Sequence, residues 1–186
     1  MKRIISIFML VIFLSACSNG QSHMQRALAL RDKLNKCNSF SFECHITADY
    51  GDKTGSFSVS CTGDNNGDLS FLVLEPETIK GITGRLTSDG GKLTFDDTVL
   101  AFPMLAEGEV SPVSAPWLLV KTLLGGYISS CGMDEGLLRI TMDDSYESDA
   151  LHLDIWLDEA DLPERAEILW QGRRILSMTV EDFQIL

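Results

Sequence analysis

The sequence predicts a single α+β domain dominated by an antiparallel meander. Three observations carry that reading. Residues 40–62 alternate apolar and polar side chains at period two on both sides of a turn at Gly51-Asp52-Lys53-Thr54. Four further strand-like runs, over 137–142, 151–157, 164–170 and 173–183, are joined by short turns. Two segments, 22–36 and 117–124, carry helical signals instead. Period two marks strands with one buried face, and consecutive strands on short turns make a meander. A chain of 186 residues with 45% hydrophobic and 23% charged residues can bury one ordinary core. No repeat, low-complexity tract or interdomain linker divides it.

The N-terminus reads as an address. Lys2 and Arg3 precede an apolar run over 4–14 that only Ser6 interrupts. A basic start, a short apolar stretch and small residues before a cut site make a signal peptide over 1–16. The run is shorter than the about 20 residues that a membrane span needs. Leu14-Ser15-Ala16-Cys17 resembles the lipobox of bacterial lipoproteins. That resemblance implies cleavage before Cys17, a diacylglyceryl group on its sulfur, and palmitate-type acyl chains as the membrane anchor. Two chains hold stably, since each buried CH₂ contributes about 0.8 kcal/mol and one chain alone is marginal. A plain secreted chain or an uncleaved anchor is the alternative. Residues 17–21 then read as a lipidated tether, small and polar, and 22–186 as the folded domain on the extracytoplasmic side of the cell membrane.

Fifteen Lys and Arg stand against 27 Asp and Glu, a formal charge of −12. Once Lys2 and Arg3 leave with the signal, 13 basic residues face 27 acidic ones, or −14. Such an excess repels phosphate backbones, which excludes nucleic acid as a partner. It equally opposes docking on anionic lipid through charge.

Beyond Cys17 lie Cys37, Cys44, Cys61 and Cys131, an even number suited to an oxidising compartment. If the first hairpin is centred on Asp52-Lys53, Cys44 faces Cys61 on one side of the sheet. Their Cβ atoms are then about 4.5–5.5 Å apart, close to disulfide geometry. A Cys44–Cys61 bridge is therefore expected, with Cys37 and Cys131 left to pair by elimination. Four buried thiols are the alternative, because cysteine packs as a small hydrophobe. Without a CxxC pair or a histidine cluster, no zinc site is expected.

Ser22 and Gln25 read as a capping box opening the first helix, whose apolar stripe is Met24, Ala27, Leu28, Leu30 and Leu34. Asp64-Asn65-Asn66-Gly67-Asp68 is a turn. A strand over 69–74 ends at Glu75-Pro76, further strands fall at 79–86 and 92–95, and 96–111 reads as irregular around Pro103 and Gly108. Ser114-Ala115-Pro116 opens the second helix and Gly125-Gly126 stops it. With Lys121 as its one charge over 117–124, that helix must be buried on more than one side or meet a ligand. In and after the run 151–157, Leu151, Leu153, Ile155 and Leu157 share a face opposite His152, Asp154, Trp156 and Asp158.

Helix, meander, apolar helix and closing meander is a pattern similar to the LolA/LolB-like family of periplasmic lipoprotein carriers. The echoes are Leu72-Val73-Leu74-Glu75-Pro76 before Ile79, Ser88-Asp89-Gly90-Gly91-Lys92-Leu93-Thr94-Phe95, and Asp161-Leu162-Pro163 leading through Gln171-Gly172 to Thr179-Val180-Glu181-Asp182-Phe183. The resemblance covers nearly the whole mature chain. It implies an incomplete antiparallel β-barrel, a half-barrel, whose concave face is apolar and lidded by helices. Members hold acyl chains there or bind partners, and the soluble carrier uses a buried arginine. Arg85 and Arg139 are strand-borne here, but no local motif gives that role to either. Germination-type lipoproteins of spore-forming bacteria also resemble the pattern, and some bind a cell-wall enzyme.

Only His23, His45 and His152 could serve as imidazole bases, and GxSxG, HExxH, P-loop and Rossmann patterns are missing. The sequence thus points to no catalytic residue, no cofactor and no metal. Two readings remain. In one, a lipid or other hydrophobic ligand fills a cavity lined by Phe42, Phe57, Val59, Phe71 and Val73 from the sheet and Trp117, Leu118, Leu123 and Leu124 from the lid. In the other, those side chains fill the core themselves, and a lipid-tethered interaction protein docks an extracytoplasmic partner enzyme through its acidic surface or an exposed sheet edge. The space between the sheet and the Trp117 helix separates the two.

Overall fold

The computed structural model describes residues 18–51, 53–95, 98–102, 105–106, 109–147 and 150–186. The signal peptide and Cys17 lie outside the described residues. The first helix, α1 (Ser18–Lys36), leads into a meander of β1 (Phe40–Asp49), β2 (Thr54–Gly63), β3 (Leu69–Glu75), β4 (Thr83–Thr87), β5 (Gly90–Phe95) and β6 (Thr98–Phe102). A small hairpin, β7 (Leu105–Ala106) and β8 (Glu109–Val110), and a 3₁₀ turn, Pro112–Ser114, precede α2 (Ala115–Gly125). The second meander is β9 (Tyr127–Asp134), β10 (Leu137–Asp143), β11 (His152–Leu157), β12 (Pro163–Trp170) and β13 (Arg173–Ile185).

The two meanders join where β1 pairs with β13, giving one antiparallel sheet of eleven strands in the order β6-β5-β4-β3-β2-β1-β13-β12-β11-β10-β9. The sheet does not close, so β6 and β9 are its edges. This is the α+β open half-barrel that the family resemblance implies, with both helices packed on its apolar face.

Four local expectations are corrected. Residues 18–21 are the first turn of α1 rather than a loose tether, and Ser22 is therefore inside the helix, not its cap. Residues 98–110 hold β6, β7 and β8, where an irregular stretch was expected. The strand expected at 79–86 starts only at Thr83, after a turn through Gly81. The first hairpin is shifted: Cys44 pairs with Val59 and Cys61 with Phe42, two residues away from the expected register. Gly51 explains the shift. It adopts φ 91°, a conformation L side chains rarely take, and donates its N–H to Asp49 Oδ1 at 2.8 Å. The chain therefore turns over Tyr50–Lys53, closed by Tyr50 N–H donating to Lys53 O at 3.0 Å.

The inner face follows from alternation: β1 is buried at Phe40, Phe42, Cys44, Ile46 and Ala48. Phe40, Phe42 and Phe183 stack, with ring centroids 5.2–6.3 Å apart. α1 buries Ala27, Leu30 and Leu34, whereas Leu28 points outward. α2 is enclosed on nearly every side, with Lys121 and Gly125 its exposed residues. Trp117 Nε1 donates to Gly67 O at 2.8 Å, which pins its start to the β2–β3 turn.

A helix buried this completely must still satisfy its terminal carbonyls. Arg31 on α1 does so. Its Nε donates to Leu123 O at 2.8 Å and its Nη2 to Gly126 O at 2.6 Å, while Asn35 Nδ2 reaches Leu124 O at 3.3 Å. Gly126 is required by close approach: a Cβ there would lie 2.6 Å from Thr122 Cγ2 and 2.8 Å from Asp143 O. Hydrogen bonds from a charged donor contribute about 1.5–3 kcal/mol each. Arg31→Ala is accordingly expected to lower the unfolding free energy by about 2–4 kcal/mol, measured by urea denaturation followed by circular dichroism. An unchanged midpoint would remove Arg31 from the role of lid clasp.

Candidate functional site

The sequence-derived cavity residues do come together, but against one another. Phe42, Val59, Phe71 and Val73 from β1, β2 and β3 are 1–4% exposed, and Trp117, Leu118 and Leu123 from α2 are 3–6% exposed. Phe57 and Leu124 are half-buried against the same cluster. The space beneath α2 is occupied by the protein's own side chains.

The apolar face continues past the lid. On β5 and β6 the inner-facing positions are Leu93, paired with Leu100, and Phe95, paired with Thr98. Leu93 packs partly on the core, whereas Phe95 is 54% and Leu100 62% exposed. Val99 on the outer face is also 62% exposed. β6 is therefore an edge strand that is apolar on both faces. Edge strands present unpaired N–H and C=O groups, and a long apolar one normally has to be covered. A strand read as Thr98-Val99-Leu100-Ala101-Phe102 resembles one buried on both sides.

The opposite wing carries a polar network that alternation alone did not reveal. Asp154 on β11 faces outward yet is 7% exposed. It accepts hydrogen bonds from Arg139 Nη2 at 2.7 Å and Thr141 Oγ1 at 2.8 Å. Trp156 lies between the guanidinium groups of Arg165 and Arg139, 4.1 and 5.3 Å from its ring centroid, and donates Nε1–H to Asp134. Arg139 pairs with Asp154 and Asp134, and Arg165 with Glu135, which is the arrangement of a structural cluster. Arg139 is thus on the outer face, and so is Arg85, which bonds Asp68 at 2.7 Å. Neither arginine faces the concave side.

His45 and His152 are exposed, contacting Ser58 Oγ at 3.0 Å and Asp143 respectively. Asp64 Oδ1 accepts from Asn66 N–H at 2.8 Å, closing its own turn. Among the described residues, no group of three or more His, Cys, Asp or Glu is arranged to hold a metal.

The four cysteines after Cys17 are free thiols, with Cys37, Cys44 and Cys61 buried. The two-residue shift places Cys44 and Cys61 diagonally across neighbouring strands, where Cβ atoms stand farther apart than in a directly opposed pair. Burial, with Cys44 as a neighbour, pushes the Cys61 thiol well above its ordinary pKa of 9.0.

No family model matches the chain, and no curated protein sequence does. Solved structures do. An uncharacterised conserved protein from Thermus thermophilus matches with a TM-score of 0.48 at 10% identity, over 86% of this chain and 87% of that one. A LolA superfamily protein from Nitrosomonas europaea matches with a TM-score of 0.45 at 9% identity, over 86% and 93%. A chain in the structure of the CwlD amidase from Clostridioides difficile in complex with the GerS lipoprotein matches with a TM-score of 0.43 at 12% identity, over 84% and 91%. The strand order by itself defines the class, an open antiparallel half-barrel with a helical lid.

A raised folded-state pKa for a thiol means that folding favours its protonated form. The contribution of Cys61 is therefore complete below the ordinary value of 9.0 and is lost as pH rises through the higher folded-state value. Urea midpoints are expected to fall above about pH 9 in the native chain, and less so in Cys61→Val. Non-reducing peptide mapping distinguishes the registers: thiols belong to the diagonal pairing, and a Cys44–Cys61 disulfide to strands slid by two residues.

Proposed function

We propose that the protein is a membrane-anchored extracytoplasmic interaction module, held by acyl chains on Cys17, that docks a protein partner along the β6 edge. One observation carries this reading. β6 is a sheet edge, apolar on both faces, with Val99 and Leu100 each 62% exposed. An acyl chain covers side chains but cannot satisfy a row of backbone donors and acceptors. A partner's strand does both, the mode of recognition known as strand addition. The filled space under α2 supports the same reading, because it leaves the surface as the place where anything binds.

A second reading is favoured by Leu93, Phe95 and Leu100 on the inner face. There a lipid or other hydrophobic ligand lies against the uncovered end of the half-barrel, outside the packed interior. Each buried methylene contributes about 0.8 kcal/mol to such binding.

A photo-crosslinker placed at Val99 or Leu100 in a bacterial host expressing the chain is expected to give a discrete protein adduct. The same probe at Met133, on the opposite edge strand, is expected to give none. Leu100→Lys, which charges the edge, should reduce the Val99 adduct about tenfold, equivalent to about 1.4 kcal/mol. Equal adducts at both edges, or a crosslink to lipid alone, would overturn the docking reading. Native mass spectrometry after mild extraction tests the second one: a co-purifying lipid lost in Phe95→Asp supports it, and a ligand-free mass opposes it. Cys17→Ser is expected to abolish palmitate labelling and release the chain from the membrane fraction. Retained labelling would remove Cys17 as the anchor.

A further inference from the structure

The outer face of β2–β6 holds a second feature, which meets the β6 edge only at Val99. Register sets Arg85 on β4 directly opposite Lys92 on β5. Like charges at such positions stand with Cβ atoms about 4.5–5.5 Å apart and destabilise a sheet. Asp68 compensates one of them, accepting a hydrogen bond from Arg85 Nη2 at 2.7 Å. Lys92 has no ion-pair partner among the described residues. In a chain of net charge −12, Asp68 neutralises Arg85 and leaves the Lys92 ammonium as the uncompensated member of the pair.

The pair borders a depression of about 690 Å³ on the same face. Its floor carries the hydroxyl residues Ser60, Thr62, Ser70, Thr83 and Thr94, in rows that cross four neighbouring strands. Strand spacing sets neighbouring residues within each row about 4.8 Å apart, about the length of one pyranose unit. Leu72, 40% exposed, and Val99 add apolar patches of the kind that the C–H face of a sugar covers. An adjoining depression of about 720 Å³ shares Arg85 and Lys92 but also holds Asp89, so an anion is better placed on the hydroxyl side.

From this juxtaposition we infer that the outer trough binds an acidic oligosaccharide, with a sugar carboxylate seated between Arg85 and Lys92 and the sugar hydroxyls laid over the Ser/Thr rows. A bare inorganic anion uses the two cations and nothing else. A neutral sugar uses the hydroxyls but leaves the like-charge pair uncompensated. An acidic sugar chain uses both, and extracytoplasmic placement would bring the trough near cell-surface glycans. The inference does not depend on docking at β6.

The full chain in mild detergent can be titrated with tetragalacturonate, maltotetraose and inorganic phosphate, read by calorimetry and by amide chemical shifts. Tetragalacturonate is expected to bind saturably and to shift Thr62, Thr83, Lys92 and Thr94. Maltotetraose and phosphate are expected to bind at least tenfold more weakly. Lys92→Gln should weaken tetragalacturonate at least tenfold, whereas Lys33→Gln on α1 should leave it unchanged. Because it removes a repulsion, Lys92→Gln should also raise the urea midpoint of the free protein. The proposal is overturned by any of four results: no saturable binding, phosphate or maltotetraose equal to tetragalacturonate, binding indifferent to Lys92→Gln, or a midpoint that Lys92→Gln lowers.

Discussion

Two short hydrogen bonds from Arg31, to the carbonyls of Leu123 and Gly126, are the clasp on which the architecture depends. An eleven-stranded sheet that does not close exposes one long apolar face, and the chain supplies two helices to cover it. α2 is buried except at Lys121, Leu124 and Gly125, and its last carbonyls have no partner within the helix, so another element supplies donors. A guanidinium with several donors in a rigid fork meets that need where a lysine would not. Burial pushes the Arg31 pKa downward, as expected for a cation drawn from solvent to serve carbonyls rather than a carboxylate.

Filling the interior has a consequence for where binding can occur. A buried leucine contributes about 1.5–3 kcal/mol to folding, and Leu118, Leu119 and Leu123 spend that on the protein's own sheet. A guest entering beneath α2 would have to displace those contacts and open the Arg31 clasp. At the β6 end no such displacement is needed, because Phe95 and Leu100 are already solvated. Coverage by α1 and α2 thus moves the available apolar surface from the centre of the half-barrel to its rim.

What was legible in the sequence divides along the same line. Period-two alternation identified β1, β2, β3 and the strands after Leu137, and an almost uncharged run identified α2, because those are local patterns. The nine apolar residues assigned to a cavity belong to one buried cluster or pack against it, yet whether a guest or a neighbouring side chain fills the space depends on distant elements. β9 escaped notice because Tyr127-Ile128-Ser129-Ser130 lies on an edge and has no regular alternation of burial. The first hairpin was placed two residues out of register because Gly51, rather than Asp52-Lys53, determines the turn. Asp154 and Trp156 read correctly as outward-facing but not as buried, since cover comes from Arg139 and Arg165 on other strands. The edge status of β6 is purely topological: its five residues say that it must be covered, and only strand order says that it is not.

A single five-residue strand is a small interface, and by area alone it belongs with weak, transient contacts. Acylation at Cys17 would change that arithmetic without any added contact. Confinement to a membrane surface turns association with another membrane-bound partner into a local event, and effective concentration rises as the connecting segment shortens. The described chain is helical from Ser18, and that helix runs into the Arg26–Asp161 ion pair and the Arg31 clasp, so an anchor at Cys17 would be joined to the domain by a short segment. A helix so placed would hold the half-barrel at a limited range of tilts to the bilayer. An edge strand of modest intrinsic affinity could then act as a selective docking site, with orientation supplying what area does not.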